Sequence, residues 1–97
     1  VSVKAISARL EQNQPNPFNP TTTIRYVLPV REDVTLSIYD TNGHLVRTLV
    51  HDLQDYGAHE VKWDGRDDDG APMGSGVYFY RLRAGKLTES KKMVLLK

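Results

Sequence analysis

Hydrophobic residues occupy every second position in two early stretches of the chain, 22–28 and 34–40. The alternating apolar residues are Ile24, Tyr26 and Leu28, then Val34, Leu36 and Ile38. A strand with one buried face has this period of two residues, because successive side chains point to opposite sides of a sheet. Each stretch is therefore predicted to be a half-buried strand, and Pro29 ends the first.

The same kind of pattern recurs later in the chain. Residues 45–50 follow a turn, His59, Val61 and Trp63 alternate with charged residues, and 76–82 are rich in aromatic and β-branched side chains. Residues 87–96 form the last predicted strand, for which the pattern leaves open whether Met93 and Leu95 or Val94 and Leu96 face the core. Turn residues separate these stretches, and no window has a helical period. The chain is predicted to be an all-β antiparallel sandwich of six or seven strands.

The largest predicted core residues are Trp63 and the pair Tyr78 and Tyr80. Two turns carry the residue types that tight turns favour. Asp40 and Gly43 bound the first, and Asp64 and Gly65 open a long polar, glycine-rich loop that continues to Gly76.

Three prolines fall within residues 15–20, which we call the proline strap. Proline fixes φ and removes a backbone donor, so this segment is neither helix nor central strand. It is predicted to pack Phe18 on the sandwich, although a proline-rich ligand for an SH3-type domain has a similar composition. The domain is predicted to cover residues 10–97, with residues 1–9 as a linker from a preceding domain.

Composition narrows the class of protein. The chain has 97 residues, the size of one domain, and no cysteine, which excludes disulfides and thiolate metal sites. No apolar run approaches the roughly 20 residues of a membrane span, so no direct membrane insertion is expected. The net charge of +1 gives no general attraction to nucleic acid. The charge is uneven, since residues 76–97 hold six bases and one acid.

The polar loop invites a calcium hypothesis, because carboxylates on a flexible loop suit a hard cation. Asp64, Asp67 and Asp69 are its weak candidate ligands. The spacing does not fit an EF-hand. When Gly70 is aligned with the invariant glycine of the EF-hand loop, Gly65 takes the position of the first ligand and Gly76 the position of the last glutamate. A solvated turn whose side chains bind their own backbone is the favoured interpretation.

Other catalytic and metal patterns are missing from the sequence. His44, His51 and His59 lie seven and eight residues apart, unlike a local zinc pair, and are predicted at the surface. The glycines around Ser75 lack the nucleophile-elbow spacing, and no phosphate-binding loop is present. The chain is therefore expected not to be an enzyme and to need no cofactor.

Five segments, in order, resemble the C-terminal sorting domain of the type IX secretion system, of type A, and the related Ig-like domain of flagellar hook-capping proteins. They are PNPFNPTTTI (15–24), YDTNG (39–43), WDGRD (63–67), SGVYFYRL (75–82) and KMVLL (92–96). The resemblance covers about residues 10–97. It implies an Ig-like sandwich of about seven strands.

The resemblance also implies a function. The domain would direct an exported cargo, lying N-terminal to Val1, through the type IX outer-membrane translocon and to a sortase-like peptidase. The expected location is the periplasm in transit, then the cell surface or the medium. The last strand would be the part that the translocon recognises, with a Lys-x-x-x-Leu pattern that fits Lys92 and Leu96 or Lys91 and Leu95. The predicted recognition residues are Lys91, Lys92, Val94, Leu95 and Leu96.

Two alternatives stay open. A carbohydrate-binding or structural Ig-like accessory module of a secreted enzyme would need a row of exposed aromatic rings, for which Tyr39, Tyr56 and one of Tyr78 and Phe79 are the candidates. A flagellar scaffold module would need a parent chain with a hook-assembly region.

Overall fold

The computed structural model describes residues 8–97, and they form two packed antiparallel sheets. One sheet has three strands in the order β1-β2-β5, and the other has four in the order β4-β3-β6-β7. The strands are β1 (Arg9–Leu10), β2 (Thr22–Leu28), β3 (Glu32–Tyr39), β4 (Leu45–Gln54), β5 (Gly57–Trp63), β6 (Gly76–Ala84) and β7 (Leu87–Leu95). This arrangement confirms the predicted all-β, Ig-like sandwich of about seven strands.

Strand positions follow the sequence pattern closely, with two extensions. β4 continues to Gln54, four residues beyond the apolar stretch, because it stays paired with β3 down to Glu32 opposite Gln54. Arg9 of β1 lies opposite Val27 of β2. The strand β1 therefore begins within residues 1–9, the predicted linker. The rest of that linker, apart from Ala8, lies outside the described residues. No helix among residues 8–97 is long and apolar enough to cross a membrane.

The core lies between the two sheets and is built from the alternating apolar positions. Trp63 of β5 has no exposed surface, and Tyr78 of β6 lies edge-on to it with ring centroids 5.5 Å apart. Met93 and Leu95 of β7 are also fully buried, which answers the question that the sequence left open. Burial of these side chains removes apolar surface from water and supplies most of the stability of the fold.

The proline strap closes one side of the core. Phe18 is 2% exposed and its ring lies against Trp63, with centroids 5.6 Å apart. Its backbone pairs in parallel with Leu95, along the outer edge of β7 in the four-stranded sheet. The predicted strap that packs Phe18 on the sandwich is thus present, and it joins both sheets.

A buried polar cluster fixes the chain before the strap. The Tyr80 hydroxyl accepts from the backbone N–H of Asn13 at 2.8 Å and donates to the Glu11 carbonyl at 2.7 Å. The Asn13 side chain donates to Thr22 Oγ1 at 3.0 Å and to the Pro15 carbonyl at 3.2 Å. Buried polar groups cost free energy unless they are paired, so this cluster specifies one path for the chain.

Candidate functional site

The predicted recognition residues divide between the two faces of β7. Met93 and Leu95 point into the core, whereas Lys92 is exposed, Val94 is half-buried and Leu96, the next residue after the strand, is 50% exposed. Leu95 is fully buried and a partner cannot touch its side chain in the folded domain. The face that a partner can reach is formed by Lys92, Val94 and Leu96.

This division separates the two possible Lys-x-x-x-Leu registers. Lys92 and Leu96 lie on the solvent side of the four-stranded sheet, so both are accessible together. Lys91 is half-buried and shares the inward side with Leu95. Only the Lys92 and Leu96 register presents both members of the pattern to another molecule.

The outer backbone edge of β7 is closed along its final residues. Phe18 N–H donates to the Val94 carbonyl at 3.0 Å, and Leu96 N–H donates to the Phe18 carbonyl at 2.9 Å. Asn16 Oδ1 accepts from Val94 N–H at 2.9 Å, and Gln12 Nε2 donates to the Lys92 carbonyl at 2.8 Å. A sheet edge with free backbone groups could accept a partner strand, but this part of the edge is already paired within the chain.

The side chains beside β7 extend the accessible face across the sheet. Val77 lies opposite Val94, and Phe79 lies opposite Lys92. Tyr39 of β3 lies opposite Phe79, on its other side. Residues directly opposite one another in a sheet share a face. Val77, Phe79 and Tyr39 therefore continue the surface that Val94 and Leu96 begin.

Arg81 stands over this surface. Its guanidinium carbon is 4.8 Å from the centre of the Tyr39 ring, and its Nη2 donates to the Tyr39 hydroxyl at 2.6 Å. A depression of about 370 Å³ opens beside it, also lined by Phe79 and Ser90. The sequence pattern identified Phe79 only as a candidate ring for carbohydrate binding and did not identify Arg81, although the alternation of β6, with Tyr78 and Tyr80 buried, places both on the outward side.

The turn after β3 is held by Asp40. Asp40 Oδ1 accepts from the backbone N–H groups of Asn42 and His44, each at 2.9 Å. The hydrogen bond from His44 N–H is the main reason that the pKa of Asp40 lies below its ordinary value. Gly43 completes the turn with φ of +82°, where a side chain would be strained.

Asp64 and Gly65 hold the start of the polar loop. Asp64 Oδ1 accepts from the backbone N–H of Arg66 at 3.1 Å and forms an ion pair with Arg47 at 3.2 Å. Gly65 has φ of +75°, and the space beside its Cα is limited by the Pro20 carbonyl, which would lie 3.1 Å from an added Cβ. The loop thus needs glycine at this position for two reasons.

Two of the three calcium candidates, Asp64 and Asp67, use their carboxylates within the protein itself. Asp67 Oδ1 accepts from the backbone N–H groups of Asp69 and Ala71, at 3.0 and 2.8 Å, while Asp64 binds Arg66 and Arg47. Within residues 8–97, no group of three acidic or histidine side chains is placed to hold a metal ion. The geometry is that of a turn whose side chains satisfy their own backbone.

The candidate aromatic residues do not form one row. Tyr78 is 6% exposed and belongs to the core, while Tyr56, 74% exposed, lies between β4 and β5 at the opposite end of the sandwich from Tyr39. Only Tyr39 and Phe79 are neighbours, and the guanidinium of Arg81 covers the Tyr39 ring. This arrangement offers no platform of adjacent ring faces for a sugar chain.

Comparison with known proteins relates the chain to Ig-like domains. The family model described as the FlgD Ig-like domain matches residues 18–87. No curated protein sequence matches the chain.

Solved structures of other proteins share the fold, among them the following three. The structure of dimeric latent PorU from Porphyromonas gingivalis is 28% identical with a TM-score of 0.75, over 97% of this chain and 10% of PorU. PorZ, an essential surface component of the type IX secretion system of the same organism, is 25% identical with a TM-score of 0.63, over 89% of this chain and 11% of PorZ. FlgD from P. aeruginosa is 22% identical with a TM-score of 0.60, over 81% of this chain and 67% of FlgD. The chain spans about a tenth of PorU and of PorZ.

Proposed function

Since the chain belongs to the FlgD Ig-like domain family, we propose that it is a sorting and surface-attachment module of the type IX secretion system. In this proposal it is a type A C-terminal sorting domain that carries an attached cargo through the outer-membrane translocon. The likeness to PorZ, which is named as a component of that system, supports the type IX assignment over the flagellar one. The order of the five sequence motifs supports it as well.

The burial pattern of β7 indicates which residues the translocon would recognise. β7 buries Met93 and Leu95 in the core and leaves Lys92 and Leu96 accessible on the outer side of the sheet. A core made by the alternate residues fixes the strand register, because a slip of one residue would expose the buried set. The fold therefore holds Lys92 and Leu96 in a constant position relative to each other, which a recognition signal requires.

The partners and location follow from the proposed role. The cargo precedes Val1, and the translocon recognises the outer face of β7. A sortase-like component acts on the part of the chain that precedes the sandwich. The domain passes through the periplasm and reaches the cell surface or the medium. It acts by being recognised, so it needs neither a catalytic centre nor a cofactor, and it binds no nucleic acid.

A fusion tests this proposal. A periplasmic reporter joined to the N-terminus of residues 1–97 is expressed in a cell with a working type IX system and in one that lacks the translocon. We expect antibody labelling of intact cells in the first strain and reporter confined to the periplasm in the second. Equal confinement to the periplasm in both strains would contradict the proposed function.

A further inference from the structure

We infer that the outer face of the four-stranded sheet, formed by Tyr39, Val77, Phe79 and Val94 with Leu96, binds an acidic protein surface that carries exposed apolar side chains. We call this set the outer apolar face. The inference rests on the proposed function and extends it, because β3 and β6, and not the last strand, would supply most of the area in contact with the partner. The partner would contact the outer face of the sheet, and the last strand would form one border of the contact area.

The outer apolar face is contiguous and partly exposed. Leu96 is 50% exposed and Phe79 is 37% exposed, and the half-buried Val77 and Val94 lie between them on the paired strands. Isolated exposed apolar residues are normal, but a contiguous set on one sheet face is typical of an interaction site. An aromatic side chain near the centre of such a set is the usual anchor of an interface, and Phe79 has that position.

Positively charged side chains border the outer apolar face. Lys92 lies opposite Phe79, while Arg81 and Arg83 follow Phe79 along β6 on the same side. Within the described part of the chain, none of these three cations forms an ion pair with an acidic side chain. Asp40 borders the depression, but its carboxylate accepts hydrogen bonds from its own turn. A face bordered by unpaired cations is complementary to an acidic partner.

The side chains of the outer apolar face fit a protein better than an acidic polysaccharide. Sugars stack on open aromatic faces, whereas here the guanidinium of Arg81 lies over the Tyr39 ring at 4.8 Å. Val77, Val94 and Leu96 are aliphatic, and they suit the apolar side chains of another protein better than a hydroxylated sugar. The closed backbone edge beside Val94 also leaves side chains, not main-chain pairing, as the means of contact.

The reporter fusion described above tests this inference with two variants, Phe79→Ser and Arg81→Glu. Each is expected to lower surface labelling about tenfold or more, because each removes an interface anchor or reverses a complementary charge. Matched controls are Tyr56→Ser, which also replaces an aromatic ring by serine, and Lys62→Glu, which also reverses a positive charge; both lie at exposed positions away from the face and should label like the parent. Purified domains are melted to confirm that every variant is folded.

The outcomes separate this inference from the function on which it rests. Export of the parent fusion, with normal export of both folded variants, would overturn the inference alone. Failure of the parent fusion to reach the surface would overturn both. If normal export were accompanied by binding of the purified domain to polygalacturonate that Arg81→Glu abolished, the face would be a glycan site and the inference wrong.

Discussion

Phe18 in the proline strap and Trp63 in β5 lie in contact with ring centroids 5.6 Å apart and ring planes inclined by 56°. They come from segments 45 residues apart, and their contact ties the strap to the three-stranded sheet. The backbone of Phe18 at the same time pairs with Val94 and Leu96 at the end of the other sheet. A single residue thus links the path of the strap to the position of the proposed recognition residues.

Replacing Phe18 with alanine is expected to lower the free energy of unfolding by about 3–5 kcal/mol, since a fully buried aromatic side chain is removed. Trp63→Ala should have a similar cost. The double variant should cost less than the sum, because the two rings contact each other and the second change removes a contact already lost. Urea denaturation followed by circular dichroism measures all three. Strictly additive effects would show that the rings do not interact in solution.

Tyr80→Phe tests the polar cluster before the strap. The change removes the hydroxyl that pairs with Asn13 and Glu11 and keeps the ring. It should cost about 1–3 kcal/mol, because the buried N–H of Asn13 and the partly buried carbonyl of Glu11 lose their partner. Tyr56→Phe, at a 74% exposed position, is the matched control and should change stability little. Equal small effects of the two variants would mean that the cluster is open to water.

Stability should fall at alkaline pH. Burial raises the pKa of Tyr80 to about 12, and burial together with the charge of Asp52 does the same for Tyr26, against 10.0 in the unfolded chain. Between pH 10 and pH 12 the folded chain binds more protons than the unfolded one. The contribution of the two protonated tyrosines to the free energy of unfolding is therefore complete below pH 10 and is lost as pH rises through 12. Melting temperatures across this range should decline, and Tyr80→Phe should decline less steeply. Parallel curves for the two proteins would contradict the assignment.

Gly65→Ala should destabilise the domain by about 1–2 kcal/mol, because a left-handed residue with a side chain is strained. The added Cβ would also lie 3.1 Å from the Pro20 carbonyl. Gly74 is the matched control, since nothing lies within 4 Å of a Cβ built there and its φ is not in the left-handed range. Thermal melts of Gly65→Ala and Gly74→Ala should therefore differ clearly. Identical melting temperatures would show that the loop adapts freely.

The sequence predicted the strands because the core residues alternate and the turns carry Asp and Gly at the positions that need them. Trp63, Tyr78 and Tyr80 are buried as expected, and Asp40 binds the backbone of its own turn. The register of the last strand could not be read from the sequence, since Met93 to Leu96 are four apolar residues in a row. Packing against the opposite sheet decides which of them face inward, and that is a property of the whole fold.

The sequence pattern also could not predict that the outer backbone edge of β7 is already paired. Nothing local indicates that Phe18, far from Val94 in the chain, pairs with it along the strand. The outer apolar face was missed for a related reason. Tyr39, Phe79 and Val94 come from three strands, and only the strand order β3-β6-β7 makes them neighbours. Such sites depend on contacts between distant segments, which composition and spacing do not encode.

The proposed sorting role of the last strand is tested by the export of the double variant Lys92→Ser, Leu96→Ser. The same reporter fused to residues 1–97 is followed by antibody labelling of intact cells, with Lys91→Ser as the control on the inward side of the strand. We expect the folded double variant to stay in the periplasm while Lys91→Ser reaches the surface like the parent. Normal surface labelling of the double variant would contradict the claim that this face of the last strand is the sorting signal.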